Sequence, residues 1–260
     1  MSRRFFGRSR PRALQSPVVG HLVSVAVTEG IATITLDSPA NRNALSQQLL
    51  ADLHSALDDA ETAKARVIVL THTPPVFCAG ADLKERSTGV VDSTSFVRAI
   101  ERLGTTSAPV IAAVDGPVRA GGVGLMAACD LVVVARAITF AFTEVRIGVA
   151  PAIITGPILA RCGWSKLAGA YLTGEVFDTA TALDMGLVTH VSDYVPGTVV
   201  NLCRDLSLGG PKALAATKQL LRRPHNMAEL QALSESLFTG EEGVEGMAAF
   251  AEKRPPRWVE

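Results

Sequence analysis

The stretch AAVDGPVRAGGVGLMAACDLVVVARAITFAFTE, residues 112–144, decides how this chain folds. It predicts a buried strand, a glycine-rich turn, a short apolar helix and a second buried strand, in that order. Gly121 and Gly122 stand where loop passes into helix, and such a junction offers unpaired backbone N–H groups to a developing negative charge. Glu144 follows an apolar segment, which predicts a carboxyl group with a raised pKa that transfers protons. These features indicate chemistry beside a carbonyl group.

Outward from this stretch, the chain alternates between predicted strands and helices. Residues 22–27 and 31–36 have the pattern of a β-hairpin, and residues 46–60 repeat leucines at helical spacing. Four further apolar segments read as strands: 67–72, 110–114, 131–134 and 139–142. Strands that are apolar on both sides indicate an α/β protein with a sheet covered on both faces. Because only helical patterns follow residue 209, we expect residues 206–260 to form a helical oligomerisation region.

Composition limits the classes of function. The chain has 260 residues, 48% of them hydrophobic and 19% charged, which suits one large domain or a domain with an appendage. Its formal net charge of zero argues against a nucleic-acid partner, and no apolar run is long enough to make the membrane a partner. The four cysteines are widely spaced and no histidine pair has metal-ligand spacing, so we expect neither disulfides nor a metal site.

The N-terminal segment differs from the rest. Its first fifteen residues, MSRRFFGRSRPRALQ, contain five arginines and no acidic residue. Such a composition is shared by transit peptides, but Gly7 and Pro11 interrupt the helix that a transit peptide forms. We therefore expect residues 1–18 to be a disordered arginine-rich tail and the protein to be cytoplasmic and bacterial. A mitochondrial location follows only if this segment is a transit peptide.

Two short motifs match known functional patterns, but the sequence around each of them does not fit that function. Gly122-x-Gly124-x-x-Ala127 matches a dinucleotide-binding fingerprint, but the seven residues from Asp115 to Gly121 separate it from the preceding strand, and the next strand does not end in an acid. The sequence from Gly163 to Ser165 begins like the nucleophile elbow of a serine hydrolase, but Leu167 stands where the closing glycine belongs. Neither activity is expected.

Residues 74–85, PPVFCAGADLKE, form a second loop that is built from small side chains. Small residues let the backbone approach a ligand closely. An ordinary strand-to-helix turn with Asp82 as the helix cap explains the loop equally well. The glycine-rich turn likewise has a packing explanation. The functional interpretation is stronger for the two loops and Glu144 together than for any one of them, because two loops with free backbone amides and one apolar-flanked carboxylate occur in one chain.

These loops belong to a longer series of motifs that runs in one order along the chain. The motifs are SPANRNALS (38–46), FCAGADLKE (77–85), IAAVDGPVRAGGVGLMAACD (111–130), FAFTEVRIGVAP (140–151), LTGEVFDTATALDMGLV (172–188) and GMAAFAEKRPPRW (246–258). In this combination the sequence from about Val19 to the C-terminus resembles the enoyl-CoA hydratase/isomerase (crotonase) family, and the methylglutaconyl-CoA hydratase-like branch within it.

The resemblance implies a fold, a substrate and a set of site residues. Residues 19–205 would form a crotonase-like spiral of ββα repeats, and the C-terminal helices would build a homotrimer or a hexamer of paired trimers. The substrate would be an acyl-CoA thioester, with no cofactor beyond its own coenzyme A and no metal. The backbone N–H groups of Ala79 and Gly121 would stabilise the enolate, one such donor contributing typically ~3 kcal/mol. The other implied substrate-binding residues are Arg42, Ala44, Ala81, Asp82, Leu83, Gly122 and, from a neighbouring subunit, Lys253.

The catalytic carboxylates depart from the family pattern. Hydratases of this family use two glutamates twenty residues apart; the second matches Glu144, but the first falls on Gly124. We expect an enoyl-CoA hydratase in which Glu144 acts as acid and base. The alternatives are a Δ3,Δ2-enoyl-CoA isomerase that needs Glu144 alone and a catalytically weak acyl-CoA-binding protein. Ile153 and Ile154 replace the small residues of the usual PGxGG segment, so we expect a reshaped acyl pocket.

Overall fold

The computed structural model describes residues 20–87, 89 and 92–259 of the chain. The predicted arginine-rich tail, residues 1–18, lies outside these residues. The strands of the described part are β1 (Val23–Thr28), β2 (Ile31–Leu36), β3 (Val67–His72), β4 (Val110–Val114), β5 (Val118–Arg119), β6 (Leu131–Ala135), β7 (Thr139–Ala141), β8 (Val176–Asp178) and β9 (His190–Ser192). The predicted hairpin and the four predicted apolar strands are therefore confirmed.

Helices connect and cover these strands. They are α1 (Gln47–Thr62), α2 (Leu83–Arg86), α3 (Thr94–Thr105), α4 (Gly121–Ala128), α5 (Ala152–Leu159), α6 (Trp164–Thr173), α7 (Thr179–Met185), α8 (Val195–Ser207), α9 (Pro211–Leu220), α10 (Met227–Thr239) and α11 (Glu241–Glu252). Three short 3-10 turns lie at Pro39–Asn41, Glu144–Ile147 and Arg257–Val259. Within the described ranges, none of the helices is long and apolar enough to cross a membrane.

The main sheet has six strands in the order β1-β2-β3-β4-β6-β9. β1 and β2 pair antiparallel, and every other pair in this sheet is parallel. Successive side chains of β3 enter opposite cores: Ile68 packs with α1, α3 and α4, whereas Val67 packs with α8. This two-sided burial explains why the inner strands are apolar at nearly every position.

A smaller sheet, β5-β7-β8, stands beside the main one and brings the functional loops together. Single bridges join Cys78 to Val118 and Leu45 to Ala81, so the loop that follows β3 lies against both the entry to α4 and the loop that follows β2. β7 leads directly into the turn that begins with Glu144. The three candidate segments of the sequence therefore meet at one place.

A buried charge, Lys218, helps to hold the C-terminal helices on the core. Lys218 of α9 is 5% exposed, lies 2.9 Å from Asp130, and donates to the carbonyl oxygens of Leu103 and Ala108. The prediction that the chain is helical after residue 209 is confirmed. Large apolar side chains on these helices are exposed, namely Leu221, Met227, Phe238, Val244, Met247 and Phe250. Their role in oligomerisation, with a boundary near residue 205, stays a prediction.

Candidate active site

A cavity of about 640 Å³ lies where these loops meet. Its walls come from the loops that follow β2 and β3, the first residues of α4, the turn at Glu144 and the start of α5. Six of the residues expected to form the site line this cavity: Ala79, Ala81, Asp82, Leu83, Gly121 and Glu144. The sequence therefore identified the walls of one cavity from three separate segments.

Asn43, which sequence analysis overlooked, holds two of these walls together. Its buried side chain accepts a hydrogen bond from the Ser38 N–H at 2.7 Å and donates to the Val76 carbonyl at 2.8 Å. Its backbone is in the left-handed region with φ of 54°, a conformation that asparagine tolerates better than most residues. In the motif SPANRNALS, Asn43 therefore has a structural role, because its side chain joins two loops.

The backbone amides of the loop after β3 divide into used and free donors. The Ala79 N–H donates to the Arg42 carbonyl at 3.1 Å, so it is not the free donor that we expected. The Ala81 and Gly121 N–H groups have no hydrogen-bond acceptor among the described residues. In the parallel bridge between Leu45 and Ala81, the Leu45 N–H donates to the Gly80 carbonyl and the Asp82 N–H donates to the Leu45 carbonyl. The Ala81 N–H therefore points away from that bridge. The available pair of donors on the cavity wall is therefore Ala81 and Gly121.

Gly80 keeps these two donors close to each other. Its φ of 92° lies in the left-handed region, and a side-chain Cβ built there would stand 2.8 Å from the Ala120 Cβ and 3.4 Å from the Gly121 nitrogen. Only glycine permits both the conformation and the approach. Ala120 itself has a φ of 48° and donates to the Ala141 carbonyl, which fixes the direction in which α4 begins. The two loops therefore hold the free amides in one arrangement.

Glu144 is a half-buried carboxyl group on the cavity wall. Burial raises the pKa of Glu144 above its usual value, and a hydrogen bond to its own backbone amide lowers it by less. Its Oε2 atom is buried and has no hydrogen-bond partner within the described residues. Phe142, two residues earlier, is fully buried and supplies part of the apolar surroundings. Such a group takes up and releases protons at a pH closer to neutral than an exposed glutamate does.

The place of the absent first carboxylate is occupied by Ile154. A Cβ built on Gly124 would stand 2.2 Å from Ile154 Cγ2, 2.5 Å from its Cβ and 3.2 Å from its Cα. Ile154 is 2% exposed and lies in the α5 segment that lines the cavity. The missing side chain at Gly124 and the bulky one at Ile154 therefore compensate each other in volume. Glu144 faces an apolar wall where a second acid would stand.

Four expected site residues lie outside the cavity wall. Arg42 is exposed, and Ala44 is buried beside it. Gly122 packs against the loop after β3, since a Cβ there would lie 2.7 Å from the Cys78 Cβ. Lys253 is exposed at the end of α11 with φ of 54°. The contacts expected of Arg42, Ala44 and Lys253 with coenzyme A stay predictions, and Gly122 has a packing role.

Charge around the cavity is mainly negative. Its lining contains four acidic side chains, those of Asp82, Glu85, Asp92 and Glu144. Among the described lining residues, one side chain is cationic, the guanidinium of Arg86. The rest of the lining is largely apolar and includes Leu45, Leu50, Phe96, Ile147, Ile153 and Ile154. In the described ranges, no three His, Cys, Asp or Glu side chains stand close enough to hold a metal ion. The cavity therefore suits an apolar group whose carbonyl oxygen meets the free amides.

Comparison with known proteins agrees with this geometry. The sequence profile described as Enoyl-CoA hydratase/isomerase matches residues 26–260. The chain is 31% identical to enoyl-CoA isomerase/hydratase fer4 of Mycosarcoma maydis, over 90% of this chain and 94% of that protein. It is 30% identical to human mitochondrial methylglutaconyl-CoA hydratase, over 88% of this chain and 74% of that protein. A solved enoyl-CoA hydratase from Mycobacterium avium is 40% identical, with a TM-score of 0.72 over 91% of this chain and 98% of that one.

The fold and the site together define an acyl-CoA-handling α/β protein of crotonase-like architecture. The chain belongs to the enoyl-CoA hydratase/isomerase family. Members of this family act on acyl-CoA thioesters, and the expected resemblance is thereby confirmed.

Proposed function

We propose that this protein is an enoyl-CoA hydratase that works with one carboxylate, Glu144. The observation that carries the proposal is the juxtaposition, in one cavity, of two free backbone donors and a buried carboxyl group with a raised pKa. The cavity wall at Ala81 and Gly121 supports binding of a thioester oxygen, because unpaired amides gain most from an acceptor that carries negative charge.

In the proposed reaction the thioester oxygen of a 2-enoyl-CoA accepts hydrogen bonds from the Ala81 and Gly121 amides. Glu144 takes a proton from water, whose oxygen adds to the β-carbon while the electron pair of the double bond moves to the thioester oxygen. The enolate is stabilised by the two amides. Glu144 then returns its proton to the α-carbon, so that the net change is the addition of one water molecule.

Ile154 supports a second candidate, a Δ3,Δ2-enoyl-CoA isomerase. Isomerisation needs one base to carry a proton between the α- and γ-carbons and no water. A wall of isoleucine beside Glu144, where a second carboxylate would otherwise hold water, suits such a reaction. The name of the fungal relative includes both activities. A catalytically weak acyl-CoA-binding protein would use the same amides without turnover.

The cavity also favours a class of acyl group. Four carboxylates against one guanidinium in the described wall would repel an acyl chain that carries a distal carboxylate. We therefore propose uncharged acyl chains, with no cofactor beyond the coenzyme A of the substrate. Arg42, Ala44 and, across a subunit interface, Lys253 are proposed to contact coenzyme A in a homotrimer or hexamer.

Incubation with crotonyl-CoA, 3-methylcrotonyl-CoA, 3-methylglutaconyl-CoA and a 3-enoyl-CoA, followed by mass spectrometry and chromatography, tests these candidates. We expect crotonyl-CoA or 3-methylcrotonyl-CoA to gain the mass of one water. Conversion of the 3-enoyl to the 2-enoyl ester without a mass change would identify the isomerase instead. Binding of all esters without turnover would contradict both enzymatic proposals.

A further inference from the structure

We propose that Tyr171 positions Glu144: its hydroxyl donates a hydrogen bond to the buried Oε2 atom, so that the other carboxylate oxygen meets the substrate. The inference rests on the function proposed above and adds a residue to it that no motif of the family resemblance contains. Tyr171 lies on α6 and is absent from the cavity wall, so it acts through Glu144 and not on the substrate.

Two buried polar atoms of opposite hydrogen-bonding character remain unpaired at this place. Among the described residues, four buried side-chain nitrogen or oxygen atoms have no hydrogen-bond partner, and Glu144 Oε2 and Tyr171 OH are two of the four. An ionised carboxylate only accepts hydrogen bonds, and a phenol hydroxyl donates one. Because unpaired buried polar groups cost free energy, a hydrogen bond between these two atoms would stabilise the protein.

Packing holds the two groups side by side. The Tyr171 ring tilts against Phe142 with ring centroids 4.3 Å apart, and Phe142 precedes Glu144 by two residues. Arg146, on the same turn as Glu144, donates from Nε to two carbonyl oxygens at the end of α6, each at 3.1 Å. The Glu144 charge raises the pKa of Tyr171, as expected of near neighbours in a dry site. The proposed bond joins the two atoms once their side chains turn toward each other, and such bonds commonly tighten when substrate binds.

Thr155 provides a second acceptor for the same hydroxyl. Its Oγ1 donates to the Pro151 carbonyl at 2.7 Å, which leaves the oxygen lone pairs free to accept. Burial raises the pKa of the Tyr171 phenol above its usual value. Tyr171 therefore keeps its proton at neutral pH, and its hydroxyl turns to Glu144 when Glu144 is ionised and to Thr155 when it is protonated.

Few other ionisable groups compete for this role. The helix that packs on the Glu144 turn is α6, and its Lys166 pairs with Asp184 at 3.2 Å. The helices α4 and α5, which supply other parts of the cavity wall, carry no titratable side chain. Burial raises the pKa of Cys162 to about 11, so that thiol is neutral. Arg146 is committed to the end of α6. The remaining charged groups face Glu144 from other parts of the cavity wall, namely Asp82, Glu85, Arg86 and Asp92.

Tyr171→Phe removes the hydroxyl and keeps the ring that packs on Phe142. The matched control is Tyr194→Phe, the same change at a tyrosine that is 69% exposed. The pKa of Glu144 is measured from the pH profile of kcat/KM with crotonyl-CoA. It is measured independently by infrared titration of the carboxyl band, which the Glu144→Gln variant assigns.

Loss of a donor to the ionised carboxylate disfavours that form. We therefore expect Tyr171→Phe to raise the pKa of Glu144 by about one pH unit. At pH values below that pKa, kcat/KM should fall roughly tenfold while KM stays unchanged. Thr155→Val removes the competing acceptor and is expected to shift the same pKa downward. Tyr194→Phe should change nothing.

An unchanged Glu144 pKa in Tyr171→Phe would overturn the proposal. A fall of kcat by a factor of about a thousand at every pH would also overturn it, because Tyr171 would then be a proton donor and not a positioning residue. If the unsubstituted protein turns over no enoyl-CoA, the proposed function fails. The infrared titration still decides the role of Tyr171, since it needs no turnover.

Discussion

Gly124→Ala is the smallest change that tests whether Ile154 fills the place of the missing carboxylate. The new Cβ would stand 2.2 Å from Ile154 Cγ2, whereas carbon atoms in contact are roughly 3.5–4.0 Å apart. Ile154 is fully enclosed, so relief requires movement of packed atoms on α4 or α5. Overpacking of this kind costs about 2–3 kcal/mol. For a chain of this length the expected fall in Tm is roughly 4–12 °C.

Gly169→Ala is the matched control, since Gly169 is an exposed glycine within helix α6 and the nearest atom to a Cβ there is Glu175 Oε1 at 3.5 Å, an ordinary contact distance. We expect this variant to be as stable as the unsubstituted protein or more stable by up to about 1 kcal/mol. Thermal and urea unfolding of both variants provide the comparison. Equal stability of Gly124→Ala and Gly169→Ala would refute the claim that Ile154 occupies this space.

The pair is also testable as a unit. Gly124→Glu alone should be less stable than Gly124→Ala, because it adds a longer side chain and a buried carboxyl group. Ile154→Gly removes the obstacle, and the double variant should recover about 1–3 kcal/mol relative to the sum of the single changes. The same double variant should hydrate crotonyl-CoA faster than Gly124→Glu. Additive destabilisation with no gain in hydration would contradict the compensation between the two positions.

Three further predictions concern charge. Because burial raises the pKa of Glu144, the free energy of unfolding falls as pH rises through that pKa and the carboxyl group ionises. Glu144→Gln stays neutral at every pH, so it should raise Tm near neutral pH, with no gain below about pH 4. Glutaconyl-CoA differs from crotonyl-CoA by a distal carboxylate, and its kcat/KM, measured in parallel, should be at most about one tenth of the value for crotonyl-CoA. Equal values would contradict the charge argument. Lys218→Ala removes a buried charge and leaves the Leu103 and Ala108 carbonyls without their donor, while Asp130 keeps its pair with Arg222. It should lower the free energy of unfolding by about 1–3 kcal/mol in urea titrations, whereas Lys212→Ala, exposed on the same helix, should change it little.

Local patterns in the sequence were sufficient for much of the fold. Ser46 stands before the leucine repeat and caps α1 by accepting a hydrogen bond from the Leu49 N–H, as its position predicts. The turn at Glu29 and Gly30 joins β1 to β2 with both residues in the left-handed region. Neither β5 nor β8 was predicted, because each is at most three residues long and owes its conformation to its pairing with β7.

The site was predictable in its parts and not in its contacts. The motifs identified Glu144, Gly121 and the loop that follows β3 because each carries a local signal of glycine or apolar context. The choice between Ala79 and Ala81 as donor depends on which amide the Arg42 carbonyl occupies, and periodicity does not report that contact. The approach of Ile154 to Gly124 joins residues thirty positions apart, which no local pattern encodes.

The central claim is that one carboxylate, Glu144, carries out the proton transfers of an acyl-CoA enzyme. The most direct measurement is the turnover of crotonyl-CoA by Glu144→Gln, beside Glu175→Gln, an exposed carboxylate outside the cavity wall, as control. We predict that Glu144→Gln loses a factor of about 100–10,000 in kcat while its affinity for crotonyl-CoA stays nearly unchanged, and that Glu175→Gln remains fully active. Turnover by Glu144→Gln at the rate of the unsubstituted protein would contradict the account.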